Sequence, residues 1–194
     1  MATLCNGIDV GSLLGTFDEI RRDPVKGLFT IRVRSEWIAG FHARHSVQSA
    51  RLAGDQEVHP QHHSVETDFP PTLQGQDAGF LPMELLLCSL GGCLAAAFVA
   101  HAAAMGIRLD ALAVEVRGEG DVAGFLGIGP GRPGFSAIHA KVLVRSKEPR
   151  DRLEDLHKFA LTHSPVWSAL TSRVAADSRL VLDVEDFGAV EMLG

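Results

Sequence analysis

One stretch governs what this chain can fold into: Leu81 to Gly106, LPMELLLCSLGGCLAAAFVAHAAAMG. Pro82 stands where the first helical position favours a fixed φ and needs no amide hydrogen. Gly106 stands where a helix end favours a left-handed residue. Between them, the 16 residues from Leu85 to Ala100 carry no formal charge. Apolar and small residues cover every face, which predicts a helix buried all round. A membrane span needs about 20 strongly apolar residues. This run is shorter, rich in Ala and Gly, and bounded by Glu84 and His101. It reads as a central core helix, with no membrane contact expected.

The helix carries Cys93 directly after Gly91 and Gly92. Glycine inside a helix costs about 1 kcal/mol against alanine, so the pair signals close packing on the backbone or access to the thiol. Cys88, five residues earlier, lies about 140° around the helix. The two thiols point apart and cannot pair within it. His101 is about 80° from Cys93, on nearly the same side.

The 194 residues suffice for one sizeable core, and one domain over 1–194 is expected, with 1–27 as a helical N-terminal extension. A net charge of −6 argues against nucleic acid as a partner. Three irregularly placed cysteines are no disulfide framework and suit a reducing compartment. The opening MATLCNGIDVGSLLG has neither a basic region nor a long apolar run, so a cytoplasmic location is expected. With no tyrosine, no phenol serves as a proton donor.

In chain order, Leu13, Leu14, Phe17 and Ile20 follow helical spacing, with Ser12 as the predicted cap. Residues 29–38 alternate as a half-buried strand, and 41–52 form its hairpin partner, carrying His42, Arg44 and Ser46. A third strand is predicted within 61–69. Residues 111–120 and 135–146 alternate cleanly as strands. The glycine-rich GFLGIGPGRPG between them lacks a following Lys-Ser/Thr and leads into a strand, so it reads as a long flexible connection rather than a phosphate loop. Pro149 opens a second helix with Leu153, Leu156 and Phe159/Ala160 inward. Ser164-Pro165 starts a short helical turn with Ser164 as its cap, and 179–185 reads as a last strand. The order gives an α+β class with mostly antiparallel pairing.

The histidines suggest a different chemistry. His42, His45, His59, His62 and His63 fall close in sequence, and histidine is the commonest metal ligand. There is no HExxH helix and no cysteine pair, and adjacent His62 and His63 would point to opposite faces of a strand. No metal and no other cofactor is expected.

Together these residues resemble the OsmC/Ohr family. The central LPMELLLCSLGGCLAAAFVAHAAAMGI is similar to the family's core helix, with its proline-glutamate start and small-small-Cys step. ETDFPPTLQGQDAGFLPMELL resembles the Asp-x-Pro, glycine-rich approach to that helix, and KEPRDRLEDLHKFALTHSPVW the second long helix and the segment after it. NGIDVGSLLGTFDEI, WIAGFHAR and DVAGFLG resemble one OsmC-like subfamily with a short N-terminal extension.

The resemblance implies an α+β fold of antiparallel strands around a long buried central helix and a second long helix, in an intertwined homodimer with active sites at the interface. It implies thiol-dependent reduction of hydroperoxides, in which a peroxidatic cysteine becomes a sulfenic acid and a second cysteine, in a Cys-Pro step, condenses with it. Cys93 matches the peroxidatic position. Ser164 stands where the resolving cysteine would be, and a serine hydroxyl cannot form that disulfide. Glu84 resembles the activating glutamate, one residue closer to the cysteine than in the Ohr branch. Arg44 is the candidate arginine, with Arg34 and Arg51 as alternatives. His42, His101 and Ser164 are candidate substrate-binding residues.

The chemistry is that of a thiolate, since a free cysteine titrates at about pH 8.5 and its anion is the nucleophile. Each candidate also has a plainer role: Cys93 as a small packing residue, Glu84 as a favourable charge at a helix start, Arg44 as a surface strand residue, Ser164 as a cap. The resemblance leaves two functions. One is a hydroperoxide reductase using a single cysteine and an external thiol reductant. The other is a non-enzymatic dimer that binds a small apolar or electrophilic ligand.

Overall fold

The computed structural model describes residues 3–52, 56–59 and 61–182. It is an α+β fold with antiparallel pairing throughout its named strands. The chain opens with two short paired strands, β1 (Leu4–Cys5) and β2 (Ile8–Asp9). They turn through Asn6 and Gly7, both left-handed. The Asn6 side chain donates to Ile107 O at 2.9 Å and accepts from Leu109 N at 2.9 Å, which docks this turn on the body. Cys5 is buried beside it, its thiol 3.5 Å from the same carbonyl.

Helix α1 (Val10–Arg22) comes next. Its cap is Asp9, whose carboxylate accepts from Ser12 N at 3.2 Å, not Ser12 as the spacing suggested. The Asp9 side chain, three residues ahead, reaches the free amide, while Ser12 already lies inside the first turn. Leu13, Phe17 and Ile20 are half-buried and Leu14 is exposed.

Strands β3 (Phe29–Ala39) and β4 (His42–Leu52) form the expected hairpin, with β5 (Gln56–Glu57) and β6 (Ser64–Thr67) on the other edge of β4. The third strand is thus shorter than the predicted 61–69. The residues after it are taken by a loop around Asp68, a buried residue whose carboxylate accepts from the amides of Phe69, Gln76 and Ala78 at 2.8, 2.9 and 3.2 Å. That loop delivers the chain to α2 (Pro82–Ala104).

Both ends of α2 obey their sequence signals. Pro82 is at the first turn, and the Glu84 carboxylate accepts from Leu81 N at 3.0 Å. At the far end Gly106 is left-handed with φ +67°, and Ile107 N returns to Ala102 O at 2.8 Å. Strands β7 (Ala111–Gly120) and β8 (Phe135–Arg145) pair antiparallel, and between them lies a short helix, α3 (Val122–Phe125). Helices α4 (Arg150–Thr162) and α5 (Pro165–Thr171) complete the body. The buried cluster joins Phe98 and Ala102 of α2, Ile107, and Leu156 and Ala160 of α4, backed by Leu112, Val142 and Val144 of the hairpin.

Four expectations need correction. Helix α2 is long and apolar enough to cross a membrane by length and composition, yet within one chain it is buried along one face, not all round. Leu90, Leu94, Phe98 and Ala102, four residues apart, make that line, while Cys88, Ser89, Gly92 and Ala96 are exposed. Uniform apolarity carries no direction, so the covered side is set by what packs there, namely β7, α4 and α5. Phe159 is exposed rather than inward, because its ring stacks on His163 instead. The glycine-rich connection contains part of α3 and folds back on it. Finally, 179–182 forms no strand, and 183–185 lie outside the described residues.

Candidate functional site

Cys93 sits half-buried on α2, one residue before buried Leu94. The chain brings Ser164 to it across 71 residues. Ser164 Oγ donates to Cys93 Sγ at 3.1 Å and accepts from Trp167 N at 3.3 Å. Ser164 is therefore the cap of α5, as its Ser-Pro context predicts, and also the thiol's hydrogen-bond donor. It has no solvent exposure. A fully buried hydroxyl with both a donor and an acceptor is held in one rotamer, so the sulfur has a fixed neighbour.

The glycines before Cys93 mark openness. A Cβ on Gly92 would meet nothing within 4 Å, and one on Gly91 would make only an ordinary contact, 3.5 Å from Val116 Cγ2. Within one chain Gly92 is exposed, next to the half-buried Cys93. Cys88 is exposed, and no disulfide joins the described cysteines, in keeping with thiols that point apart.

The other candidates lie elsewhere. Arg44 on β4 reaches its register partner Glu66 on β6, with Nε and Nη2 at 3.0 and 2.8 Å from Oε1. His42 Nε2 is 3.0 Å from the other carboxylate oxygen. The Arg44 hydrogen bonds first, and His42 second, hold the Glu66 carboxyl below its ordinary value. Glu84 is engaged at the start of α2. His101 packs edge-on to Phe159, ring centres 4.7 Å apart, and lies 5.6 Å from His163. Burial, and then His163, push its pKa down. Of the six candidates, only Cys93 and Ser164 are joined to each other by a hydrogen bond among the described residues.

Two hydrogen-bond partners of the candidate residues, Glu66 and Trp167, were not singled out by the sequence. Glu66 had no signal beyond its place in a short polar strand, because strand register is not readable there. Trp167 was visible only as the third residue of α5. Among the described residues no three His, Cys, Asp or Glu side chains converge on a metal-sized site. His45 uses both ring nitrogens on hydroxyls, Ser35 Oγ and Thr67 Oγ1, each at 2.8 Å.

The site is thus a cysteine on the half-covered central helix, touched by the residue that starts the segment after the second long helix. The OsmC-like protein family model matches residues 75–178. The chain belongs to the OsmC-like family. No curated protein matches it in sequence. Among solved structures, an OsmC-like protein from Mycoplasma pneumoniae superposes with a TM-score of 0.54 at 17% identity, covering 73% of this chain and 86% of that one. An organic hydroperoxide resistance protein OsmC from Legionella pneumophila gives 0.51 at 15%, covering 75% and 92%. An osmotic stress induced and detoxification response protein from Psychrobacter arcticus gives 0.51 at 21%, covering 73% and 88%. At these identities the likeness shows the OsmC-like fold. In this member of the family, the hydroxyl of Ser164 stands beside the central-helix thiol.

Proposed function

We propose that this OsmC-like protein is a thiol-dependent hydroperoxide reductase of the cytoplasm that uses Cys93 alone and takes its electrons from an external thiol. The observation that carries the reading is the 3.1 Å contact between Ser164 Oγ and Cys93 Sγ, beside the open Gly92 flank. The Cys93 thiolate attacks the terminal, hydroxyl-bearing oxygen of ROOH; the O–O bond breaks, the OH goes to sulfur as a sulfenic acid, and the alkoxide leaves and takes a proton from water to become the alcohol. Ser164 cannot condense with it. One external thiol therefore displaces water to give a mixed disulfide, and a second thiol releases Cys93 and leaves as the oxidised disulfide. Ser164 holds the sulfur and donates to the charge that collects on it.

The working unit is a homodimer. Every residue of β3 except Arg34 is exposed, including Phe29, Ile31, Val33 and Trp37, and the Cys88–Gly92–Ala96 face of α2 is open in one chain. Apolar surface on this scale fits a second copy. In this reading Arg44 and His42, held together on Glu66, act on the thiol of the other copy, and Glu84 and His101 are the further substrate contacts.

The test is turnover of an alkyl hydroperoxide with dithiothreitol or dihydrolipoamide, comparing the native protein with Cys93→Ser. Turnover that vanishes in the variant, with a dimedone-trapped sulfenic acid on Cys93, is the expected result. No turnover with either dithiol, and an inert thiol, would sink the reductase reading and leave a ligand-binding dimer.

A further inference from the structure

A cavity of about 240 Å³ opens between the first half of α2, the start of β8 and α5. Leu90, Phe135 and Ile138 give it an apolar wall, Trp167 an indole, Thr171 a hydroxyl and Arg132 a cation. Arg44, Arg117, Arg150 and Arg152 are paired with carboxylates. Arg132 is not: among the described residues no hydrogen bond or ion pair engages its guanidinium.

The loop that carries Arg132 is built, not slack. Asp121 caps α3 by accepting from Ala123 N at 2.9 Å. A Cβ on Gly124 would lie 2.6 Å from the carbonyl carbon and oxygen of Arg132, so only glycine lets the loop close there. The backbone of Arg132 is thus seated on α3, and Arg132 is an exposed residue of the cavity lining.

We propose that this cavity binds a small organic carboxylate, its anion on Arg132 and its compact apolar body against Trp167, Leu90 and Phe135. A guanidinium matches a carboxylate with two parallel hydrogen bonds, and the aromatic and aliphatic lining residues offer contact to the rest of the ligand. A single cation suits one negative charge better than a doubly charged phosphate. The chain carries a net charge of −6, so its overall field repels anions and the selectivity is local. The volume lies below the roughly 300–1,000 Å³ of drug-sized sites, which limits the body to about one or two rings. The site adjoins the thiol through α5: Trp167 lines the cavity, and its amide donates to Ser164, which donates to Cys93. Binding needs no oxidisable Cys93, so its success or failure is separate from that of the reductase reading.

The probe is 1-naphthoate, followed by the indole N–H resonances of the two tryptophans in a nitrogen-15 spectrum. Trp37, hydrogen-bonded to Gly40 O on the exposed hairpin, is the internal control, and Trp167→Phe assigns the peaks. The Trp167 peak should move saturably while the Trp37 peak stays still. Arg132→Gln, at an exposed residue, should weaken binding about tenfold or more. Neutral 1-naphthamide should bind native protein about tenfold more weakly than the acid. No saturable shift, an Arg132→Gln variant that binds as tightly as native, or equal binding of acid and amide would each overturn the proposal.

Discussion

The α2–α4–β7–β8 body and the β3–β4–β6 sheet are written in the same apolar alphabet, yet one buries it and the other exposes it. In the body, Phe98, Ile107 and Leu156 are 1%, 0% and 0% exposed. In the sheet, Phe29, Ile31 and Trp37 are 64%, 58% and 76% exposed. The body closes because two helices and a hairpin supply facing layers. The sheet has one layer, and a single apolar sheet face requires a second one. The difference separates a half whose apolar side chains are covered within the chain from a half whose apolar side chains are not.

The largest expected effect tests that contrast directly. Leu156→Ala removes a fully buried side chain from the core and should cost about 2–5 kcal/mol in urea unfolding. Ile31→Ser on β3 should leave the unfolding of the isolated chain within about 1 kcal/mol, while lowering the mass seen in sedimentation from dimer to monomer. An Ile31→Ser variant that unfolds as readily as Leu156→Ala would mean that β3 is already part of a core.

The link between the halves is the loop around Asp68, and Gly75→Ala should be nearly as severe. A Cβ there would lie 1.7 Å from Phe69 O, so the loop must open and release amides that Asp68 now accepts. Amide exchange across 69–80 should accelerate while exchange in α4 is unchanged. Equal acceleration in both would show one cooperative unit rather than two halves.

Ser164→Ala comes next. It removes the α5 cap and the donor to Cys93 together, and cap loss alone is worth about 1 kcal/mol. The rate at which Cys93 is alkylated should change, whereas the same measurement on exposed Cys88 should not. If both cysteines respond alike, Ser164 acts only through stability.

How much of the molecule was legible in its sequence obeys the same division. The ends of α2 were readable because Pro82 and Gly106 act locally, and β7, β8 and α4 were readable because alternation and helical spacing are local too. The covered face of α2 was not, since a helix apolar all round names no preferred side. Cys93 and Ser164 were each singled out, one on its helix and one as a cap, and the family resemblance paired them by setting Ser164 at the resolving position. Their contact is a product of α2 meeting α5, which no spacing encodes. Arg44 was placed on the right strand, but its engagement by Glu66 depends on the pairing of β4 with β6, and the same is true of His42.

The smallest effect distinguishes the halves by pH. In the body, His101 has its pKa lowered from the ordinary 6.5 by burial and then by His163. The unfolded chain therefore takes up that proton first. The stability tied to neutral His101 is complete above about pH 6.5 and is lost as pH falls through that value toward the folded one. In the sheet half, Glu66 lies below its ordinary 4.5, chiefly through Arg44. Burial pushes Asp68 up, but three backbone amides outweigh it and hold the carboxyl below 3.8. For both, stability is present above the ordinary value and disappears only as pH falls below it. Exchange at the His101–Phe159 contact should thus quicken as pH falls below about 6.5, while β6 and the loop after it stay protected until about pH 4. Substituting His101→Asn should remove the first step and leave the second. A single step near pH 4 in the native protein would mean that burial of His101 is not coupled to the stability of the body.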